Sequence, residues 1–288
     1  MADLAASIAH RLLAYARENN QDYNSLLTRY GLERLLYRLS RSPHAEQFLL
    51  KGALLFLLWH NLPNRPTRDI NLLGFGPDDV PSIEAVFRDL CAVDGHDAVI
   101  FDPGSVKGEV IRKQTGYGGV RVAMMGKLKN IQLPIQIDIG FGDVVTPEAT
   151  MEEFPVILES LPSPTLRVYP RFTVCAEKVQ AMSSLGMANT RLKDYYDVWL
   201  LLEEDDLDED VLGQAIAATF ARRRTPILTE WPAGLTDEFA TDQIKQRQWD
   251  AFLRKNGLEA PALKAVVDSL RDRLASPMAI ARTRVSRA

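Results

Sequence analysis

Pro66-Thr67-Arg68-Asp69-Ile70-Asn71-Leu72-Leu73-Gly74-Phe75 sets a carboxylate at the mouth of an apolar run, the pattern of a short buried strand. Asp69 and Asn71 stand two positions apart, so on a strand both side chains face the same way. Upstream, Leu50-Lys51-Gly52-Ala53 links the apolar Phe48-Leu49 to the apolar run Leu54 to Trp59. That order predicts a strand, a tight turn at Gly52 and a buried helix. A strand-mouth carboxylate can hold a divalent cation, and the cation can grip nucleotide phosphates. A glycine turn at a helix start offers backbone N–H groups to the same phosphates.

Working outward, Ile131-Gln132-Leu133-Pro134-Ile135-Gln136-Ile137-Asp138-Ile139 alternates apolar and polar residues at the strand period, with Asp138 near its end. Strand-like pieces also fall at Val99–Phe101, Glu109–Arg112 and Val120–Met124. Turn residues at Gly116, Gly118, Gly119, Gly126 and Asn130 fit an antiparallel meander. Residues 3–40 show helical spacing with a break at Asn19-Asn20-Gln21, Pro63 and Pro66 frame a loop, and residues 81–93 form an amphipathic helix.

From Phe172 the pattern is helical throughout. One helix, capped near Thr173, carries Glu177 and Lys178 and stops at Gly186. A second runs from Arg191 to Leu202, an acidic loop spans Glu203 to Asp210, and helical patterns follow at 211–222, 236–254 and 261–275. The basic end, Arg282 to Arg287, is expected to fray. The predicted class is therefore α+β: an α/β lobe over 1–165 with a small mixed or antiparallel sheet, and a helical lobe over 166–288.

Composition narrows the function. At 288 residues, with 46% hydrophobic and 25% charged residues, the chain has the make-up of an ordinary globular protein with ample core. No apolar run approaches the ~18 residues that span a bilayer, and no signal-peptide pattern opens the chain, so a cytoplasmic protein is expected. Cys91 and Cys175 make no CxxC and read as buried thiols. The four histidines lack ligand spacing, which argues against zinc, and no serine sits in a G-x-S-x-G elbow. A net charge of −4 excludes a protein that coats nucleic acid but leaves room for a local basic surface.

A second group of residues carries chemistry in the helical half. Lys178 on a helix can serve as a point charge for phosphate, and Asp194 and Asp197, three apart, share a helical face. Tyr195, Tyr196, Val198 and Trp199 make that helix substantially apolar, so its carboxylates need a partner. The bland reading is a network of surface charges, and for Glu177 and Lys193 it is the better one.

Leu50-Lys51-Gly52-Ala53-Leu54, Thr67-Arg68-Asp69-Ile70-Asn71-Leu72, Ile137-Asp138-Ile139, Ala176-Glu177-Lys178 and Arg191-Leu192-Lys193-Asp194-Tyr195-Tyr196-Asp197 occur in one order. In this the chain resembles the AbiEii-type nucleotidyltransferase toxins, members of the polymerase-beta-like superfamily found in type IV toxin–antitoxin and abortive-infection systems. The resemblance implies Mg²⁺-dependent transfer of a nucleotide from an NTP to an acceptor, with the 3′ end of tRNA expected, and an antitoxin encoded nearby. It assigns Asp69, Asn71 and Asp138 to metal, and Asp69, Lys178 and Asp194 to catalysis. Nucleotide contacts would come from Gly52, Ala53, Thr67, Lys178, Arg191 and Asp197. Tyr169 to Arg171 and Arg222-Arg223-Arg224 are candidate RNA contacts.

Two departures stand out. The family pattern is D-x-D, and Asn71 keeps a coordinating oxygen while losing a charge, which weakens metal binding. Gly52-Ala53 replaces the family's glycine-serine or glycine-glycine. They motivate two alternatives: a nucleotide binder with weakened or absent transfer, and a non-catalytic partner-binding protein whose carboxylates are paired internally.

Overall fold

The computed structural model describes residues 2–60, 67–112, 118–204 and 207–285. Pro63, Pro66, Gly116 and the end of the basic tail lie outside the described residues. The chain divides into two compact units, Met1–Gly142 with Thr150–Val168, and Asp143–Ala149 with Tyr169–Ala288.

The first unit is α+β, as the patterning predicts. Helices α1 (Ala2–Glu18) and α2 (Tyr23–Ser40) precede strand β1 (Phe48–Lys51), and one 3₁₀ turn (Gly52–Leu54) leads into the short helix α3 (Leu55–His60). Strand β2 (Asp69–Gly74), helix α4 (Val80–Ala92) and strands β3 (Val99–Arg112), β4 (Gly118–Leu128), β5 (Ile131–Phe141), β6 (Thr150–Glu153) and β7 (Thr165–Val168) follow. Asp22 and Asp79 cap α2 and α4 by accepting from Ser25 N and Ser82 N.

All seven strands form one sheet, ordered β3-β4-β5-β2-β1-β7-β6. It is larger than the small sheet expected. The meander is antiparallel, but β2 runs parallel to β5 and β1 parallel to β7. The two pieces expected at 99–101 and 109–112 are one strand whose register shifts between Asp102 and Lys107, so the Pro103-Gly104 interruption is a bulge rather than an end.

Leu133, Ile135, Ile137 and Ile139 are buried on one face of β5. Helix α2 approaches that face so closely that a Cβ on Gly31 would lie 2.9 Å from Ile135 Cδ1. The other face of β5 carries Gln136 and Asp138, both half-buried.

The second unit is helical: α5 (Arg171–Leu185), α6 (Leu192–Glu204), α7 (Glu209–Arg222), α8 (Asp237–Thr241), α9 (Gln243–Asn256) and α10 (Leu263–Val285). Thr173 does not cap α5. The cap position is Pro170, and the Thr173 hydroxyl is buried, donating to Thr146 O and accepting from Thr146 N. Helix α10 continues past Pro277, so Arg282 is helical rather than frayed and donates to Leu228 O at 3.0 Å. Cys175 is buried, which pushes its thiol up to about 12.

Candidate functional site

The sheet registers assemble a row that no single stretch of sequence displays. Lys51 of β1 pairs with Asn71 of β2, Asn71 with Asp138 of β5, Asp138 with Arg121 of β4, and Arg121 with Glu109 of β3. Residues opposite one another across strands share a face. Asp69 lies two residues before Asn71 and pairs with Gln136, which places it beside the row on that same face. The intervening Ile70, Leu72, Ile137 and Ile139 are buried and hold the strands rigid from behind.

Asp69 Oδ1 accepts from Thr67 Oγ1 at 3.3 Å, and Asp69 Oδ2 accepts from the Asn71 amide at 3.2 Å. Gly52 sits directly over this pair. Its φ of +81° is left-handed, which favours glycine, and a Cβ there would crowd Asn71 Cβ at 3.0 Å and Cγ at 3.2 Å, so the Asn71 side chain would have to give way. The turn continues as 3₁₀ rather than opening an α-helix at Ala53.

Asp138 is not an open carboxylate. Arg121 donates from Nε to Oδ1 and from a terminal nitrogen to Oδ2, both at 2.8 Å, and Gln136 donates to Oδ1 at 3.4 Å. The bond to Asp138, with the nearby charges of Asp138, Glu109 and Asp69, raises the Arg121 guanidinium above its ordinary value. Of the functional residues here, Arg121 escaped sequence reading. In Val120–Met124 it is one polar residue in an alternating strand, and only the pairing of β4 with β5 shows what it touches.

In the second unit α5 and α6 bring together Lys178, Asp194 and Asp197. The Lys178 ammonium donates to Asp194 Oδ1 at 2.7 Å and to Asp197 Oδ2 at 2.8 Å. Burial alone would lower the lysine, but the two carboxylates overcome it and hold the ammonium above its ordinary value. Burial would likewise raise Asp194, yet Lys178 keeps it below. Asp197 is 1% exposed, so it acts on Lys178 rather than on a molecule from solution. Arg191 is exposed at the start of α6, and its backbone N–H donates to Asn189.

The expected RNA contacts fare unevenly. Tyr169 is buried, and Arg223 is committed to Asp143 at 3.0 Å, Glu177 at 3.2 Å and Gln180 at 3.0 Å. Arg222 and Arg224 are exposed.

Residues 34–274 match the family described as Nucleotidyl transferase AbiEii toxin, Type IV TA system. The chain belongs to the AbiEii nucleotidyltransferase toxin family. No curated protein matches it in sequence. Among solved structures, JHP933 from Helicobacter pylori is 12% identical, with a TM-score of 0.51 over 92% of this chain and 95% of that one. A second H. pylori chain gives 13% identity and the same TM-score over 92% and 98%. A nucleotidyltransferase-like protein from Paracoccidioides brasiliensis gives 12% identity and a TM-score of 0.39 over 86% and 92%. At such identities the likeness to the two H. pylori chains speaks for the fold alone.

This AbiEii chain is thus a nucleotidyltransferase and toxin, and its family carries a nucleotide substrate and an antitoxin partner. No described helix is long and apolar enough to cross a membrane. Enzymes of this kind generally use a divalent metal, and the donor set allows a test of fit. Asp69 offers carboxylate oxygens and Asn71 an amide oxygen from neighbouring positions of one sheet face, with the amide nitrogen here donating to Asp69 Oδ2 at 3.2 Å. Among the described residues no three His, Cys, Asp or Glu side chains gather as a metal group, so water and phosphate oxygens would complete the shell. Asp69 and Asn71 are the residues here that would hold a divalent ion.

Proposed function

We propose that this chain transfers a nucleoside monophosphate from an NTP to an RNA acceptor, the 3′ end of tRNA, using Mg²⁺ held at Asp69 and Asn71. An acceptor hydroxyl attacks the α-phosphate in line; the new P–O bond forms as the bond to pyrophosphate breaks, and the hydroxyl proton leaves to solvent. A bound Mg²⁺ would offset charge on the phosphate oxygens.

The chain's own residues supply position. The sheet holds Asp69 and Asn71 in register, Thr67 orients the Asp69 carboxylate, and Gly52, without a side chain, and Ala53, with only a methyl, leave room for phosphate to approach the turn. In the helical unit Lys178 is assigned to nucleotide phosphate, steadied by Asp194 and Asp197, with Arg191 as an exposed cation. The observation that carries this reading is the alignment of Asp69, Asn71 and Asp138 on one sheet face beneath Gly52.

The test is incubation of the protein with total tRNA, Mg²⁺ and each labelled NTP. Label should pass to tRNA with one NTP above the others, and Asp69→Ala should reduce it by at least roughly 100-fold, a loss of several kcal/mol of metal-borne stabilisation. Label transfer indifferent to Asp69→Ala would end the assignment of this site. Binding of an NTP without transfer would favour the nucleotide-binding alternative.

A further inference from the structure

We propose that Arg121 is the resident cation of the strand-end site, standing where a second divalent ion would need Asp138, so that the site takes one divalent ion and not two. The inference rests on the nucleotidyl-transfer reading of Asp69 and Asn71.

The charges set the argument. A site for two divalent ions gathers several carboxylates around +4. Of the carboxylates at the row, Asp69 and Asp138 neighbour the neutral amide of Asn71, with the cation Lys51 on the other side of Asn71 and Glu109 beyond Arg121. Arg121 then cancels one of the two negative charges permanently, because a guanidinium does not lose its proton in a protein. Its grip is bidentate, so each Asp138 oxygen already holds a 2.8 Å charged hydrogen bond. Glu109 lies 4.0 Å from the guanidinium on its far side, and the nearby charge of Asp69 adds to its stabilisation. A second dication at Asp138 would have to share the carboxylate with the guanidinium, against the repulsion of a fixed positive charge beside it.

The same observation explains how Asn71 is tolerated. With Arg121 fixed across the strand, a carboxylate at 71 is not needed to balance a second ion. The Asn71 amide instead bonds Asp69 and packs beneath Gly52. A bland cross-strand pair would also link Arg121 to Asp138, and the two roles differ in what happens when the arginine is removed.

The experiment is equilibrium dialysis of the full chain against Mn²⁺ and each of the four α,β-methylene nucleoside triphosphates, with metal and nucleotide retained per chain both measured. The wild type is expected to hold one Mn²⁺ per bound nucleotide, Arg121→Gln two, and Arg121→Lys, which keeps the charge, one. Two Mn²⁺ per nucleotide in the wild type, or one in a folded Arg121→Gln, would overturn the inference while leaving nucleotidyl transfer intact. Retention of none of the four nucleotides would overturn both, and the label-transfer assay reports on the parent reading independently.

Discussion

Two arginine–aspartate pairs in the first unit are both bidentate, Arg38 end-on through its two terminal nitrogens and Arg121 side-on through Nε and one of them, and live in opposite surroundings. Arg38 holds Asp97 through bonds of 2.7 and 3.0 Å, and Arg121 holds Asp138 through two of 2.8 Å. The first pair is 3% and 0% exposed, the second 37% and 22%. Arg38 also donates to Val99 O at 2.8 Å and Arg34 O at 3.0 Å, while Tyr30 donates to Asp97 O at 2.9 Å. This network fastens α2 to the start of β3, and a Cβ on Gly95 would collide with it. A buried charge cannot lose its partner without being stranded, whereas a half-exposed one falls back on water. Burial therefore makes one pair a lock and leaves the other available to a ligand.

The largest effect should come from breaking the lock. Arg38→Met leaves the buried Asp97 with only Arg34, 4.0 Å away, and the Val99 N–H, and should cost about 3 kcal/mol, lowering the melting temperature by roughly 6–12 °C. Arg121→Gln should cost no more than about 1 kcal/mol. Equal losses in urea unfolding would erase the distinction between the two pairs.

Lys178 extends the comparison to a buried cation between two carboxylates. Asp194, held low in the fold, adds stability above its ordinary 3.8 that is lost as pH falls through the folded value. Lys178, held high, adds stability below its ordinary 10.5 that is lost as pH rises through the folded value. Between those limits the wild-type cluster should contribute a flat, full share. Lys178→Met removes the largest opposing charge: burial then raises Asp194 against the lesser pull of Lys193 and Arg191, so the variant should be most stable in acid and weaken as pH rises. Near neutrality the loss should be on the order of 3 kcal/mol. A variant whose urea midpoint is level from pH 5 to 9 would contradict the burial of Asp194 and Asp197.

The contrast between the pairs also marks what the sequence could show. Local signals carried far: the Asp69 strand, the alternation from Ile131 to Phe141, the Gly52 turn and the helices around Lys178 and Asp194 all follow from periodicity and glycine. Pairing did not, because it depends on partners distant in the chain. Asp138 reads as a lone carboxylate until β4 sets Arg121 opposite it. Strand β6, Thr-Met-Glu-Glu, is exposed at every position and lies at the sheet edge, so no apolar alternation announces it. Arg223 looks like part of a basic triplet, and only the fold sets Asp143 and Glu177 around it.

The finest test of the open row is Asn71→Asp. It restores the family's D-x-D while replacing the amide donor on Asp69 with a second carboxylate about 3 Å away. Without metal the two carboxylates repel, and stability should fall by about 0.5–1 kcal/mol near neutral pH. With Mn²⁺ the same charge becomes an asset, and binding should tighten by roughly 10-fold, about 1.4 kcal/mol. The two signs belong together: a carboxylate that destabilised the metal-free protein without tightening Mn²⁺ would place residue 71 outside the coordination shell. If Arg121 fixes the count of ions, this variant should bind its single Mn²⁺ more tightly and still bind only one. A second Mn²⁺ appearing with Arg121 intact would mean that the amide at 71, and not the arginine across the sheet, had been holding it out.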